Sequence, residues 1–371
     1  MTFEQRLQPQ GKKRMLALDG GGIRGVITIQ VLKRIESILR EKTGNDKLVL
    51  SDFFDYISGT STGAIIASCL SIGMTVDAIA KFYLQSGPAM FNRAALLKRF
   101  WYKFTDEDLA AQLQTVFGRE TTLGDSRILT LLMLVLRNAT TDSPWPVSNN
   151  PRAKYNLRDR SDCNLHLPLW QLVRASTAAP TYFPPEVVSI GQRDFVFVDG
   201  GVTMYNNPAF QMFLMATLEP YRLMWPAGEE NMLLISVGTG TSPSPDANLS
   251  AGEMNLLYQA GTIPAALMFA ALNEQDLLCR TFGKTLAGSA IDREVGDLTN
   301  ARGPAPHKLF TYARYNAELS EEGLSRLGLP QIRPENVRKM DSTDFVSEMA
   351  EVGKRIAQTD VKPEHFDGFM P

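Results

Sequence analysis

The sequence predicts an α/β protein whose mainly parallel sheet is covered by helices on both faces. Short apolar runs that stop abruptly at glycine turns, and helical periodicity between them, carry this prediction. The first run, residues 14–18 (RMLAL), ends at Asp19, Gly20, Gly21 and Gly22, as a buried strand entering a tight turn does. A helix follows, because Val26, Ile27, Val31, Ile35, Ile38 and Leu39 share one face, with Lys33, Arg34, Glu36 and Arg40 opposite. Residues 53–58 (FFDYIS) read as a second strand. It runs into residues 59–63 (GTSTG), a sharp turn that opens an apolar helix over 64–72. Three more strands are expected within 128–136, 195–198 and 232–237, the last two ending in Asp-Gly-Gly and Gly-Thr-Gly. Ligands of such sheets sit beyond the carboxyl ends of the strands, so the glycine turns are expected on one rim.

The 371 residues are 44% hydrophobic and 21% charged, enough apolar side chain for a large core without disulfide or metal staples. With 38 basic and 40 acidic residues spread along the chain, no global field recruits polyanions, which disfavours bulk nucleic acid as a partner. Cys69, Cys163 and Cys279 are odd in number and widely spaced, giving neither a disulfide framework nor a zinc pattern. A reducing, cytoplasmic setting with peripheral membrane association is expected, since no run of about 18 to 20 apolar residues offers a span. The motif turns are scattered from 19 to 240, so cutting between them would split one site. The chain therefore divides into a polar leader (1–13), one catalytic domain (14–320) with an irregular insertion at 87–125, and a helical tail (321–371).

Residues 59–63 have the G-x-S-x-G form of a nucleophile elbow, in which small flanking residues allow a strained strand-to-helix turn that projects the serine. A tight turn without chemistry is the alternative. Serine needs a base, commonly histidine. His166, His307 and His365 each lie away from a predicted strand end and read as structural or surface residues, which leaves a carboxylate. Asp199 ends the strand at 195–198 and precedes Gly200 and Gly201, so it is the candidate base, the alternative being a turn cap. An unperturbed aspartate, with a pKa of about 3.9, is a weak base at neutral pH. Desolvation would strengthen it. Backbone N–H groups of Gly20, Gly21 and Gly22, at the start of a helix, suit a tetrahedral oxyanion. Arg24 steadies this loop, meets a phosphate headgroup, or makes a structural ion pair. Gly20, Gly22 and Gly25 also satisfy the dinucleotide fingerprint G-x-G-x-x-G, but the acidic residue expected about 20 positions on, at the end of the second strand, is absent.

Together these motifs resemble the patatin-like phospholipase family over residues 14–320. DGGGIRG stands at 19–25, GTSTG at 59–63 and DGG at 199–201, supported by RASTAAPTYFPP at 174–185, NNP at 206–208 and SVGTG at 236–240. The resemblance implies a three-layer α/β/α fold and a Ser-Asp dyad hydrolysing lipid esters without metal or cofactor. Ser61 is then the nucleophile, Asp199 the base, and Gly20, Gly21 and Gly22 the oxyanion hole. Gly59, Gly63, Asn206 and Asn207 shape the surrounding turns, and Ala178 and Pro180 the wall near the elbow. A narrower resemblance, to bacterial antiphage effectors of the CapV type, implies activation by a cyclic dinucleotide. An unregulated lipid acyl hydrolase or lysophospholipase, a binding module that has lost catalysis, and a dinucleotide-binding protein are the competing readings.

Membrane phospholipid is the expected partner. Residues 96–104 (LLKRFWYKF) set Phe100, Trp101 and Phe104 among Lys98, Arg99 and Lys103, which suits either an interfacial contact or a cover over the site with its lysines in water.

Overall fold

A computed structural model describes residues 1–91, 106–180, 182–241, 256–341 and 343–370. Phe100, Trp101, Lys103 and Phe104 lie outside them. The strands are β1 (Lys13–Leu18), β2 (Tyr56–Thr60), β3 (Leu131–Asn138), β4 (Ser143–Ser148), β5 (Glu186–Ile190), β6 (Arg193–Asp199), β7 (Met232–Val237), β8 (Gly283–Ala287) and β9 (Phe310–Tyr315). Among the described residues they form one sheet, in which β3, β2, β1, β7, β9 and β8 are successive parallel neighbours. The β4, β5 and β6 pairings are antiparallel.

Strands β1, β2, β3, β7 and β9 are buried on both faces, which is why β1, β3 and β7 read as mainly apolar runs, whereas edge strand β8 exposes Lys284. Leu16, Leu18, Ile57, Leu132, Leu134, Ile235 and Val237 face one cluster, packed under α2 (Gly25–Thr43), α4 (Thr62–Ser71), α5 (Val76–Phe91), α7 (Leu169–Ser176) and α12 (Val346–Thr359). Met15, Ala17, Tyr56, Met133, Val135 and Leu234 face the other, under α8 (Ala209–Thr217) and the end of α9 (Leu256–Phe282). The three-layer expectation is thus met. Helix α12 lies along α2 so closely that a Cβ at Gly353 would stand 2.8 Å from the Ile27 carbonyl oxygen. In the leader, residues Phe3–Leu7 form the short helix α1, held by buried Arg6, whose guanidinium donates to Ser51 O at 2.6 Å.

The second strand starts later than the sequence suggests. Phe53 ends a helical turn, α3 (Leu50–Phe53), whose opening N–H, from Val49, bonds the Asp52 carboxylate at 3.0 Å, and the strand begins at Tyr56. Asp55 separates the two, accepting from the Arg14 backbone N–H at 2.8 Å.

The pairing around β3 positions the site. One edge of β3 carries β4 along residues 133–138. The other carries β2 along 131–135 and then β6 along 136–138. Thr60 is opposite Val135 and Asp199 opposite Leu136, so β2 and β6 meet end to end, one running up and the other down. Asp199 reaches the carboxyl rim on an antiparallel strand, a direction that its local sequence does not disclose.

Candidate active site

Ser61 leaves β2 with φ 54° and ψ −121°, a left-handed backbone unusual outside glycine, and α4 starts at the next residue. Such a conformation costs roughly 1–3 kcal/mol and persists only where neighbours enforce it. Close packing does so: a Cβ at Gly63 would stand 2.3 Å from Leu18 O, and one at Gly59 2.1 Å from Gly63 O. Ser61's N–H, turned out of the sheet ladder, donates to the Ser176 hydroxyl at 3.0 Å, which donates to Val135 O at 2.7 Å. Ser176 therefore bridges the gap the elbow opens in the ladder. Thr60 Oγ1 donates to Tyr205 O at 2.7 Å.

The half-buried Ser61 hydroxyl donates to Asp199 Oδ2 at 2.6 Å, and Asp199 Oδ1 accepts from Gly201 N at 2.6 Å. Among the described residues no cation lies within ion-pair distance of Asp199, which is 4% exposed. Burial pushes its pKa up to about 6, against the opposing bonds from Ser61 and Gly201. A carboxylate held in this way is charged at neutral pH yet a stronger base than a solvated one.

Above the serine lies the glycine turn. Gly20 packs so near that a Cβ there would be 3.2 Å from Ser61 Cβ and 2.3 Å from Asn206 Oδ1. The expectation that three glycine N–H groups are open is corrected at Gly20, whose N–H donates to Asn206 O at 3.2 Å. Gly21 and Gly22 N–H groups have no acceptor among the described residues. Thr239 Oγ1 donates to Gly20 O at 2.8 Å and would clash with any Cβ at Gly21. The Tyr83 hydroxyl, bonded also to Thr62, donates to Gly22 O, and Met340 O accepts from Ile23 N at 3.0 Å.

Beneath the turn, Asp19 and Arg314 form a buried two-pronged ion pair, and Arg314 also donates to Ser236 Oγ at 2.7 Å. Ser236 donates to Asn207 Oδ1 at 3.2 Å, so Asn207 ties the loop after Asp199 to β7. Asn206 reaches the turn through its carbonyl. Gly200 lies against β3, where a Cβ would meet Val135 O, and Ala178 O accepts the Asp199 N–H at 3.0 Å. Arg24 is buried, burial lowering its pKa to about 10 against the pull of Asp19, so it does not stand open to solvent. Exposed His166 and His307 bond neither Ser61 nor Asp199, and buried His365 pairs with Tyr315.

Sequence reasoning therefore brought Ser61, Asp199, the glycines and both asparagines to one place, but gave no role to Ser176, Thr239, Tyr83, Arg314 or Met340. Arg314 carried a signal, being a lone cation in the apolar strand FTYARY. Met340 acts through its backbone and carried none.

No three His, Cys, Asp or Glu side chains cluster as metal ligands among the described residues, and no helix there is long and apolar enough to cross a membrane.

The chain is 30% identical over 259 residues to Patatin-17 of Solanum cardiophyllum and 29% identical over 259 to Patatin-T5 of Solanum tuberosum, covering 64% of this chain in each case. The matched stretch spans 63% of the length of either relative. The crystal structure of VipD from Legionella pneumophila superimposes with a TM-score of 0.41 at 14% identity, over 97% of this chain and 67% of that one. Residues 16–213, more than half the chain and the stretch that holds Ser61 and Asp199, match the patatin-like phospholipase profile, and the chain belongs to that family.

Proposed function

We propose that the protein is a serine acyl hydrolase that cleaves fatty-acyl esters of membrane phospholipids through Ser61 and Asp199. The observation that carries this reading is the 2.6 Å bond from the serine hydroxyl to a buried carboxylate without a counter-cation. Asp199 takes the Ser61 proton as Oγ attacks the ester carbonyl carbon, and the carbonyl oxygen becomes an oxyanion facing the Gly21 and Gly22 N–H groups. One well-placed donor of this kind is worth about 3 to 4 kcal/mol. Collapse breaks the ester C–O bond; Asp199 passes its proton to the leaving lysophospholipid alkoxide and an acyl-serine remains. Water then attacks the acyl carbon while Asp199 accepts its proton and returns it to Ser61, releasing the fatty acid. Family membership and the strained backbone at Ser61 support the same reading. The dinucleotide reading lacks its acidic residue, because β2 ends at Thr60 and hands over to Ser61.

The proposal extends to activation by a cyclic dinucleotide, supported by the narrower sequence resemblance. Wild-type, Ser61→Ala and Asp199→Asn proteins incubated with mixed phospholipid vesicles, with and without a panel of cyclic dinucleotides, test both parts. Fatty acid released by wild type alone is the expected result, and dependence on one nucleotide supports the regulated form. Undiminished release by Ser61→Ala would overturn the assignment.

A further inference from the structure

Helix α9 is much longer than the sheet it covers. At 1.5 Å per residue its 27 residues extend about 40 Å, whereas β8 and β9, with five and six residues, extend about 20 Å. Its carboxyl end joins β8 directly, at Phe282 and Gly283, on the amino side of the sheet. Since β8 and β9 run parallel to β7 and β1, the other end of α9 points past the rim that carries Ser61.

Burial changes where this geometry places the top of the sheet. Leu272, Gln275, Asp276, Cys279 and Arg280 are buried. One turn earlier Leu267 is 65% exposed, Ala266 and Ala270 are exposed, and Met268 and Phe269 are half-buried.

The protruding half also differs in composition. From 254 to 273 there is no Asp, Glu, Lys or Arg, in a chain that is 21% charged. Residues 266–272 (ALMFAAL) are apolar on every side of the helix. A helix that meets a folded partner shows one apolar stripe and a polar back, whereas one without a polar side suits hydrocarbon. The apolar stretch 263–272 is ten residues, the length of an interfacial segment and too short to span a bilayer.

We infer that the protruding, uncharged half of α9, around Leu267, is a membrane-docking helix that enters the apolar layer of a phospholipid surface on the side of the sheet whose rim carries Ser61. The inference rests on reading that site as a lipid acyl hydrolase. It names a segment separate from the basic, aromatic stretch at 96–104, and its attraction is hydrophobic, so salt does not weaken it.

Flotation with zwitterionic phosphatidylcholine vesicles tests it, using Ser61→Ala protein so that the vesicles stay intact, at low salt and in 1 M NaCl. Ser61→Ala protein is expected to float in both, and adding Leu267→Asp to lower the vesicle-bound fraction roughly tenfold or more. Leu267→Asp with Ser61 intact is expected to turn over p-nitrophenyl butyrate, a soluble ester, at the wild-type rate, showing that the fold and site survive. Ala270→Glu should reproduce both effects. Equal flotation with and without Leu267→Asp would overturn the inference. So would a dimer on size exclusion that Leu267→Asp dissociates, which would make the same face a self-association surface. Failure of wild type to hydrolyse any soluble ester, with or without the cyclic dinucleotides, would instead sink the acyl-hydrolase reading, and flotation would still report on the helix by itself.

Discussion

Asp55 and Asp199 are both buried aspartates, one at each rim of the same sheet, and they are held in opposite ways. Asp55, at the amino rim, accepts from the Arg14 N–H at 2.8 Å and Nε at 3.3 Å, and lies 3.5 Å from the Arg6 guanidinium. Asp199, at the carboxyl rim, has two hydrogen bonds, no cation among the described residues, and a serine in a strained turn as one of its partners. Burial with counter-charges makes a clasp. Burial without them raises the carboxyl pKa, as the proposed base requires, because nothing offsets the cost of the charged form except two short bonds.

The comparison breaks most visibly in activity. Ser61→Ala and Asp199→Asn are each expected to lower kcat/KM for a soluble ester at least about 10³-fold, as removal of a nucleophile or its base does elsewhere. Asp55→Asn should leave it within a few-fold wherever the protein is folded, and steady-state kinetics distinguish these cases.

The glycine turn comes next. Gly21→Ala puts a Cβ 2.1 Å from Thr239 Oγ1, and displacing the turn by about 1 Å should cost roughly 10² in kcat. Ser176→Ala removes the bridge between Ser61 N–H and Val135 O. On the proposed mechanism it should lower kcat about tenfold with little change in KM, since the hydroxyl holds the Ser61 N–H and so the orientation of the elbow.

Stability responds with opposite signs at the two aspartates. Asp55→Asn leaves two buried guanidinium groups without their carboxylate and should cost about 3–5 kcal/mol in urea unfolding. Asp199→Asn should stabilise at pH 8. The raised carboxyl pKa means that wild type loses stability as pH climbs from about 4 through about 6, where Asp199 must carry its charge in the fold. The gain should be roughly 2–3 kcal/mol at pH 8 and vanish near pH 4.

How much of this was legible varies residue by residue. Strand β7 coincides with its apolar run at 232–237, and β1 with its run to within one residue, because two-sided burial keeps both runs mainly apolar, with Ser236 the one polar residue in β7. Phe53 and Phe54 misled, since buried aromatics suit a short helix as well as a strand, and the Asp52 bond to Val49 N–H decides between them. At the site, Ser61 and Asp199 were readable from their glycine-flanked turns. Their meeting on one rim was expected too, but not the route of Asp199, which depends on two strands sharing one edge of β3 from opposite directions. Ser176 and Arg314 act across 115 and 295 residues of sequence, beyond any local period. Gly20 shows the same limit, since only the fold reveals that Asn206 engages its N–H.

The central claim is that desolvation turns Asp199 into the base for Ser61, and the pH dependence of kcat/KM on a soluble ester tests it most directly. A single ascending limb with its midpoint near 6 is expected, rising tenfold per pH unit below it and flat above, with the limb lost in the residual activity of Asp199→Asn. A limb that keeps its midpoint in Asp199→Asn, or a wild-type midpoint near the ordinary aspartate value of about 4, would contradict it.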